Sequence, residues 1–195
     1  MRVVWLKHDL RLADHAPLME AVAHGDDLLL LYVVEPERLD QPDESMLHVA
    51  WDLANARTLL ARVEALGGTM HIRTGRPEQV LQDLQDTSAI VSLHSHEETG
   101  LQWSWERDKR VMAWCEANDT VWHEHPWNGV VRRLTDRDRW NSIRNRRMVE
   151  PVLEAPARLP SHSNLTCVDE TMGVFPCYND LVKTPLEAGE PAAHA

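Results

Sequence analysis

No stretch of eighteen consecutive apolar residues occurs in this 195-residue chain, so no helical membrane span is encoded. Cysteine is scarce: Cys115, Cys167 and Cys177 are odd in number and lack metal-ligand spacing, which predicts free thiols in a reducing compartment. Glycine offers no phosphate loop, because Gly67-Gly68-Thr69-Met70 is neither a P-loop nor a dinucleotide fingerprint, and no nucleophile triad is discernible. Positive charge is in deficit. With 20 Lys and Arg against 31 Asp and Glu the net charge is −11, so the molecule as a whole repels a phosphate backbone and any nucleic-acid contact needs a local basic patch. One Phe and two Tyr stand against eight Trp, which are spread through the chain and read mostly as core or helix-face residues with a satisfied indole N–H.

What is present is a regular alternation. The apolar strand at 2–6 runs directly into Lys7-His8-Asp9-Leu10-Arg11, leaving no room for a signal peptide and, with the free thiols, predicting a cytoplasmic location. Leu28–Val34 is a continuous apolar run of the kind buried on both faces of a parallel sheet. Further strands are expected at 69–73, 89–93 and 120–124. Helices are expected from an N-cap at Asp14 to about Ala23, and at 46–66, 77–84 and 103–116. The order β-α-β-α-β-α-β-α-β predicts an α/β fold: a Rossmann-like, doubly wound, five-stranded parallel sheet of order 3-2-1-4-5. Its switch point lies between the first and fourth strands, where ligands collect at the carboxyl ends. The turn carrying Lys7, Asp9 and Arg11 then faces the loop 94–100 across one crevice, and Glu35 borders it.

Three features need weighing. His94-Ser95-His96 and His123-Glu124-His125 are each His-x-His, conceivable in a metal site, but no third ligand is fixed by spacing; solvated loop or pocket lining is the expectation and no metal is assigned. Arg132, Arg133, Arg137, Arg139, Arg144, Arg146 and Arg147 form a positive island offset only by Asp136 and Asp138. Lacking aromatics interleaved for base stacking, it reads better as arginines paired with acidic neighbours than as a DNA patch. Residues 151–195, with Pro151, Pro156, Pro160, Pro176, Pro185 and Pro191 and no periodicity, read as a poorly packed linker after a domain at 1–150.

Four motifs in order resemble the photolyase and cryptochrome family. They are VVWLKHDLRLADHAPL at the start, GRPEQVLQDL at 75–84, HEETG with WERDKRV at 96–111, and EHPWNGVVRRLTDRDRW at 124–140. The resemblance covers residues 1 to about 160 and implies the amino-terminal α/β domain of such a protein, whose members continue into a helical domain that binds FAD and holds the DNA lesion. That partner domain is expected to be missing from this chain, a fragment or truncated gene product, with damaged DNA reached only through the full-length protein. No catalysis is then expected of the chain alone. Full-length relatives split pyrimidine dimers with light, or signal as cryptochromes. The resemblance further implies that this domain holds an antenna chromophore, a folate, deazaflavin or FMN, with Lys7, His8, Asp9, Arg11, Glu35, His96, Glu97 and Glu98 as polar handles. A nucleotide-binding α/β module and a purely structural interaction domain are the alternatives, separable by titration with ATP.

Overall fold

The computed structural model describes residues 1–25, 27–162, 164–183 and 185–193. In chain order they form β1 (Arg2–Leu6), α1 (Ala16–Ala23), β2 (Leu28–Val34), α2 (Pro36–Leu39), α3 (Met46–Ala65), β3 (Met70–Thr74), α4 (Pro77–Thr87), β4 (Ser92–His96), α5 (Gln102–Ala117), β5 (Val121–His125), α6 (Trp140–Met148), β6 (Val168–Asp169), α7 (Tyr178–Leu181) and α8 (Glu190–Ala193), with a 3₁₀ turn at Arg137–Arg139 before α6. Every ladder among these strands is parallel, in the order β5-β4-β1-β2-β3-β6. The expected order of the first five strands stands. The expected count of five does not, because β6 adds a sixth at the β3 edge.

Alternation along the strands divides the core into two layers. Val4, Leu6, Leu30, Tyr32, Val34 and Ile72 face α1 and α3, meeting Leu18, Ala21, Leu53, Ala56 and Val63. Val3, Trp5, Leu29, Leu31, Val33 and Leu93 face α4 and α5, meeting Val80, Leu81, Leu84, Val111 and Cys115. β2 is buried at every position, as its unbroken apolar run requires of a central strand covered on both faces.

Two local expectations are corrected. Asp14 does not cap α1: it takes a left-handed φ of 50°, and His15 is the N-cap, its Nδ1 accepting the Leu18 N–H at 3.1 Å. The fourth strand lies at Ser92–His96 rather than 89–93, since its final His94-Ser95-His96 is polar in composition yet fully buried.

The carboxyl-terminal segment is also better packed than its prolines suggested. Leu159 lies in the α1/α3 layer, 1% exposed, and its N–H donates to the Leu66 carbonyl at 3.0 Å. Gly68 leaves room for it, because a Cβ there would sit 2.8 Å from the Leu159 Cβ. Beyond it, β6 pairs with His71 and Ile72 and covers the β3 edge, while Arg57 holds Asp169 at 2.8 Å. Side-chain anchors placed at intervals, rather than a periodic stripe, tie the segment down, and periodicity alone does not reveal them. Regular structure there is limited, among the described residues, to β6, α7 and α8.

Candidate functional site

The residues anticipated at the carboxyl ends of the strands divide between the two faces of the sheet. Lys7 continues the alternation of Trp5 and points to the α5 face; Glu35 does so after Val33. There α5 presents Arg107, 2% exposed, on the same buried stripe as Ser104, Asp108, Val111 and Cys115. Its guanidinium donates to Glu35 Oε1 at 2.8 Å, Glu98 Oε2 at 2.6 Å and Asp108 Oδ1 at 2.9 Å. Lys7 Nζ donates to Asp108 Oδ2 at 3.0 Å and to the His96 carbonyl at 3.2 Å. Trp5 lies beneath both cations, 4.5 Å from Lys7 Nζ and 4.8 Å from Arg107 Cζ, and Trp103 lies 5.4 Å from Arg107 Cζ.

Three carboxylates share two cations in this buried network, so one proton is retained most readily where compensation is poorest. Burial pushes the Glu35 carboxyl up to about 7 despite Arg107 beside it. Its second oxygen, Oε2, is buried without a hydrogen-bond partner among the described residues. Burial also raises Glu98, but Arg107, Lys7 and the Gly100 N–H outweigh it and hold that carboxylate below its usual range. The Glu98 Oε1 accepts from Thr99 and Gly100 at the entrance to α5.

On the α1 face, Asp9 Oδ2 accepts from His96 Nδ1 at 2.5 Å and lies 3.0 Å from His15 Nε2. Because His15 Nδ1 accepts the Leu18 N–H, its proton sits on Nε2, toward Asp9. Burial raises Asp9, yet His15 and His96 hold it well below the ordinary carboxylate value.

Of the eight anticipated handles, Lys7, Glu35 and Glu98 therefore join one network, Asp9 and His96 another, joined through the backbone carbonyl of His96. His8 is exposed. Arg11 folds back onto the carbonyls of Ala13 and Asp14. Glu97 joins neither network, and its Oε2 is buried without a partner among the described residues. Arg107, Asp108, Trp103 and His15 were not anticipated. The first two had a signal: adjacent opposite charges on the buried stripe of a helix whose other members are Ser104, Val111 and Cys115.

Between the first turn and α5 the ion pairs leave an enclosed space of about 10 Å³, room for one water, walled by Lys7, His8, Tyr32, Glu35, Trp103 and Arg107. A larger hollow of about 390 Å³ adjoins His8 on its other side, lined by Asp9, Leu10, Arg11, Trp51, Asp52, Asn55, Gly189 and Glu190. Glu190 is held at its edge, its carboxylate accepting from the Leu12 and Ala13 N–H groups.

Of the arginine island, one member meets a carboxylate and another meets backbone carbonyls. Arg132 pairs with Glu124 at 2.5 Å, and Arg147 reaches the carbonyls of Asn128 and Val130.

A fold of this strand order has relatives. The model of the DNA photolyase family matches residues 2–136. The chain belongs to that family. It is 25% identical over 174 residues to the cryptochrome DASH of Gloeobacter violaceus, covering 81% of this chain and 35% of that one. It is 33% identical over 112 residues to the deoxyribodipyrimidine photo-lyase of Thermus thermophilus, covering 56% and 25% respectively. The crystal structure of an archaeal photolyase from Sulfolobus tokodaii with two FAD molecules superposes with a TM-score of 0.69 at 16% identity, covering 97% of this chain and 44% of the other. The chain thus spans 25–44% of the length of these proteins. Among the described residues no helix is long and apolar enough to cross a membrane.

Proposed function

We propose that this photolyase-family domain is the antenna and interdomain unit of a light-using flavoprotein, binding a flat heteroaromatic chromophore at the carboxyl ends of β1 and β2 and docking on an FAD-binding helical domain supplied with it. The observation that carries this reading is the orphaned Glu35 Oε2. A buried carboxyl oxygen without a partner is a costly feature unless a donor arrives. A pterin or isoalloxazine ring carries such an N–H on its edge, and only that edge could enter the one-water space walled by Tyr32, Trp103 and Arg107. His8 is common to that wall and to the 390 Å³ hollow, whose size falls within the range of small-molecule sites. His8, Asp9, Arg11, Trp51 and Asn55 would hold the chromophore there, with Lys7, Glu98 and Arg107 fixing the Glu35 carboxyl; His96 would act on Asp9, and Glu97 would border the crevice.

The chromophore contributes absorption and energy transfer when bound. The protein's own part is to orient the ring, exclude water and present the Glu35 carboxylate to the ring N–H. In the archaeal photolyase from Sulfolobus tokodaii the two FAD molecules imply a novel light-harvesting cofactor, which supports looking for one here. The flavin, the damaged DNA and the light-driven splitting of dimers belong, on this reading, to the complete protein in the cytoplasm.

The test is a fluorescence titration of the purified chain with FMN, a reduced folate and a deazaflavin. One of them should bind, and Glu35→Gln and Glu98→Ala should each weaken it by about 1–3 kcal/mol, the worth of a buried hydrogen bond to a charged group. Failure of all three chromophores to bind would leave the domain an interdomain contact surface only.

A further inference from the structure

The two His-x-His segments, each short of a third ligand by spacing, are brought together by the sheet. β4 and β5 pair in register, His94 against His123 and His96 against His125. Because both strands are parallel and side chains alternate, all four imidazoles point to the α1 face, where Glu20 projects from α1. Glu20 Oε2 lies 3.1 Å from His94 Nδ1 and 2.7 Å from His125 Nε2, and Oε1 lies 3.2 Å from His123 Nδ1.

We propose that Glu20, His94 and His125 form a binding site for a divalent transition metal of the zinc type, with His123 holding the carboxylate from outside. Three imidazole nitrogens converge on this one carboxylate. The three ligating atoms all lie within 4.8 Å of one another. Ligands around tetrahedral zinc stand about 3.4 Å apart, as follows from metal–ligand bonds of about 2.1 Å, so a slight spreading of the observed triad admits the ion. Two imidazoles and one carboxylate leave a fourth position open to water, and nitrogen donors select against Mg²⁺ and Ca²⁺.

The surroundings are those of a supported site. Ser92 Oγ is 2.9 Å from His94 Nε2 on the same strand face, the kind of outer hydrogen bond that fixes a ligand ring. His123 stacks on His94, 4.6 Å between centroids at 8°. The Glu20, His123 and His125 side chains are 30%, 36% and 26% exposed, which gives the ion a route in.

The neighbouring triad of Asp9, His15 and His96 is unsuited. All three are buried, His15 Nδ1 is engaged by the Leu18 N–H, and Asp9 Oδ1 by the Lys7 N–H. A metal at Glu20 would clamp the edge strand β5 to α1, independently of any chromophore.

The experiment uses the untagged chain, stripped with chelator and titrated with Zn²⁺ against a chromophoric indicator, and separately with Co²⁺ for its visible absorption. The expected result is one ion per chain, an intense tetrahedral-type Co²⁺ band, a melting temperature that rises with Zn²⁺ and not with Mg²⁺, and loss of binding by about a hundredfold in His125→Gln and Glu20→Gln. His123→Gln should lose about tenfold and His96→Gln nothing. Both ligand substitutions are at partly exposed positions, and circular dichroism verifies their folding. Absence of Zn²⁺ and Co²⁺ binding by the unsubstituted chain overturns the proposal, as does binding that survives His125→Gln and Glu20→Gln or is abolished by His96→Gln alone.

Discussion

Replacing Arg107 by Met tests the reasoning behind the buried network most directly. The side chain is 2% exposed and touches three carboxylates, so its removal deletes half of the positive charge facing Glu35, Glu98 and Asp108 and leaves Lys7 alone among them. Breaking a buried pair by deleting one partner costs about 3–5 kcal/mol, because the surviving charges remain desolvated. In a chain of this size each kcal/mol moves the melting temperature by about 2–4 °C, so Arg107→Met should melt roughly 6–20 °C lower at pH 8. Met conserves the unbranched stem, so the loss reports charge more than volume. Acid should restore part of the stability, since protonated carboxyls no longer repel one another. Arg107→Lys should recover little, because a point charge cannot serve Glu35 and Glu98 together through a planar fork. Urea denaturation of the three proteins between pH 5 and pH 8 measures this. A loss below about 1 kcal/mol at pH 8, or one that does not shrink on acidification, would refute the account of the network.

The remaining predictions concern Glu35, the Leu159 anchor and Gly68. The folded chain holds the Glu35 proton up to about pH 7, whereas the unfolded chain loses it near the ordinary value of 4.5; the native state binds more protons between these values, so this group's contribution to stability falls as pH rises from about 4.5 through 7. Glu35→Gln should remove that slope and gain roughly 2–4 kcal/mol over the unsubstituted chain at pH 8, read from denaturation midpoints across the range; an unchanged slope would place the proton elsewhere. Leu159→Ala should cost about 2–5 kcal/mol and release the following segment to limited proteolysis, because the side chain is 1% exposed in the α1/α3 layer. Gly68→Ala should reproduce that release at about 1–3 kcal/mol, since its Cβ would stand 2.8 Å from Leu159 Cβ and 3.0 Å from Val63 Cγ1. Proteolysis identical to that of the unsubstituted chain in both variants would show that the segment is held by β6 and not by Leu159.

Why some of this was legible in the sequence and some was not follows from the range of the forces involved. The strand order could be read because β1 and β2 are apolar runs and right-handed crossovers leave few topologies. Lys7, Glu35 and Glu98 could be placed together because strand ends on both sides of β1 must converge. The partner that organises them could not, since Arg107 comes from α5 and only the helix rotation decides which of its charges turns inward. The histidines make the same point more sharply. His-x-His fixes two side chains on one face by the twofold period of a strand, but adding His125 to His94 requires the β4/β5 register, and adding Glu20 requires the crossing of α1 over both strands. Periodicity speaks for one element at a time, whereas these clusters are made between elements separated by tens of residues. The carboxyl-terminal segment lies at the far end of that scale: Leu159, β6 and Glu190 are each anchored by long-range partners, so nothing in their local pattern distinguishes them from a linker, and the close approach that Gly68 permits, the open edge of β3 and the N–H groups of Leu12 and Ala13 explain why they stay.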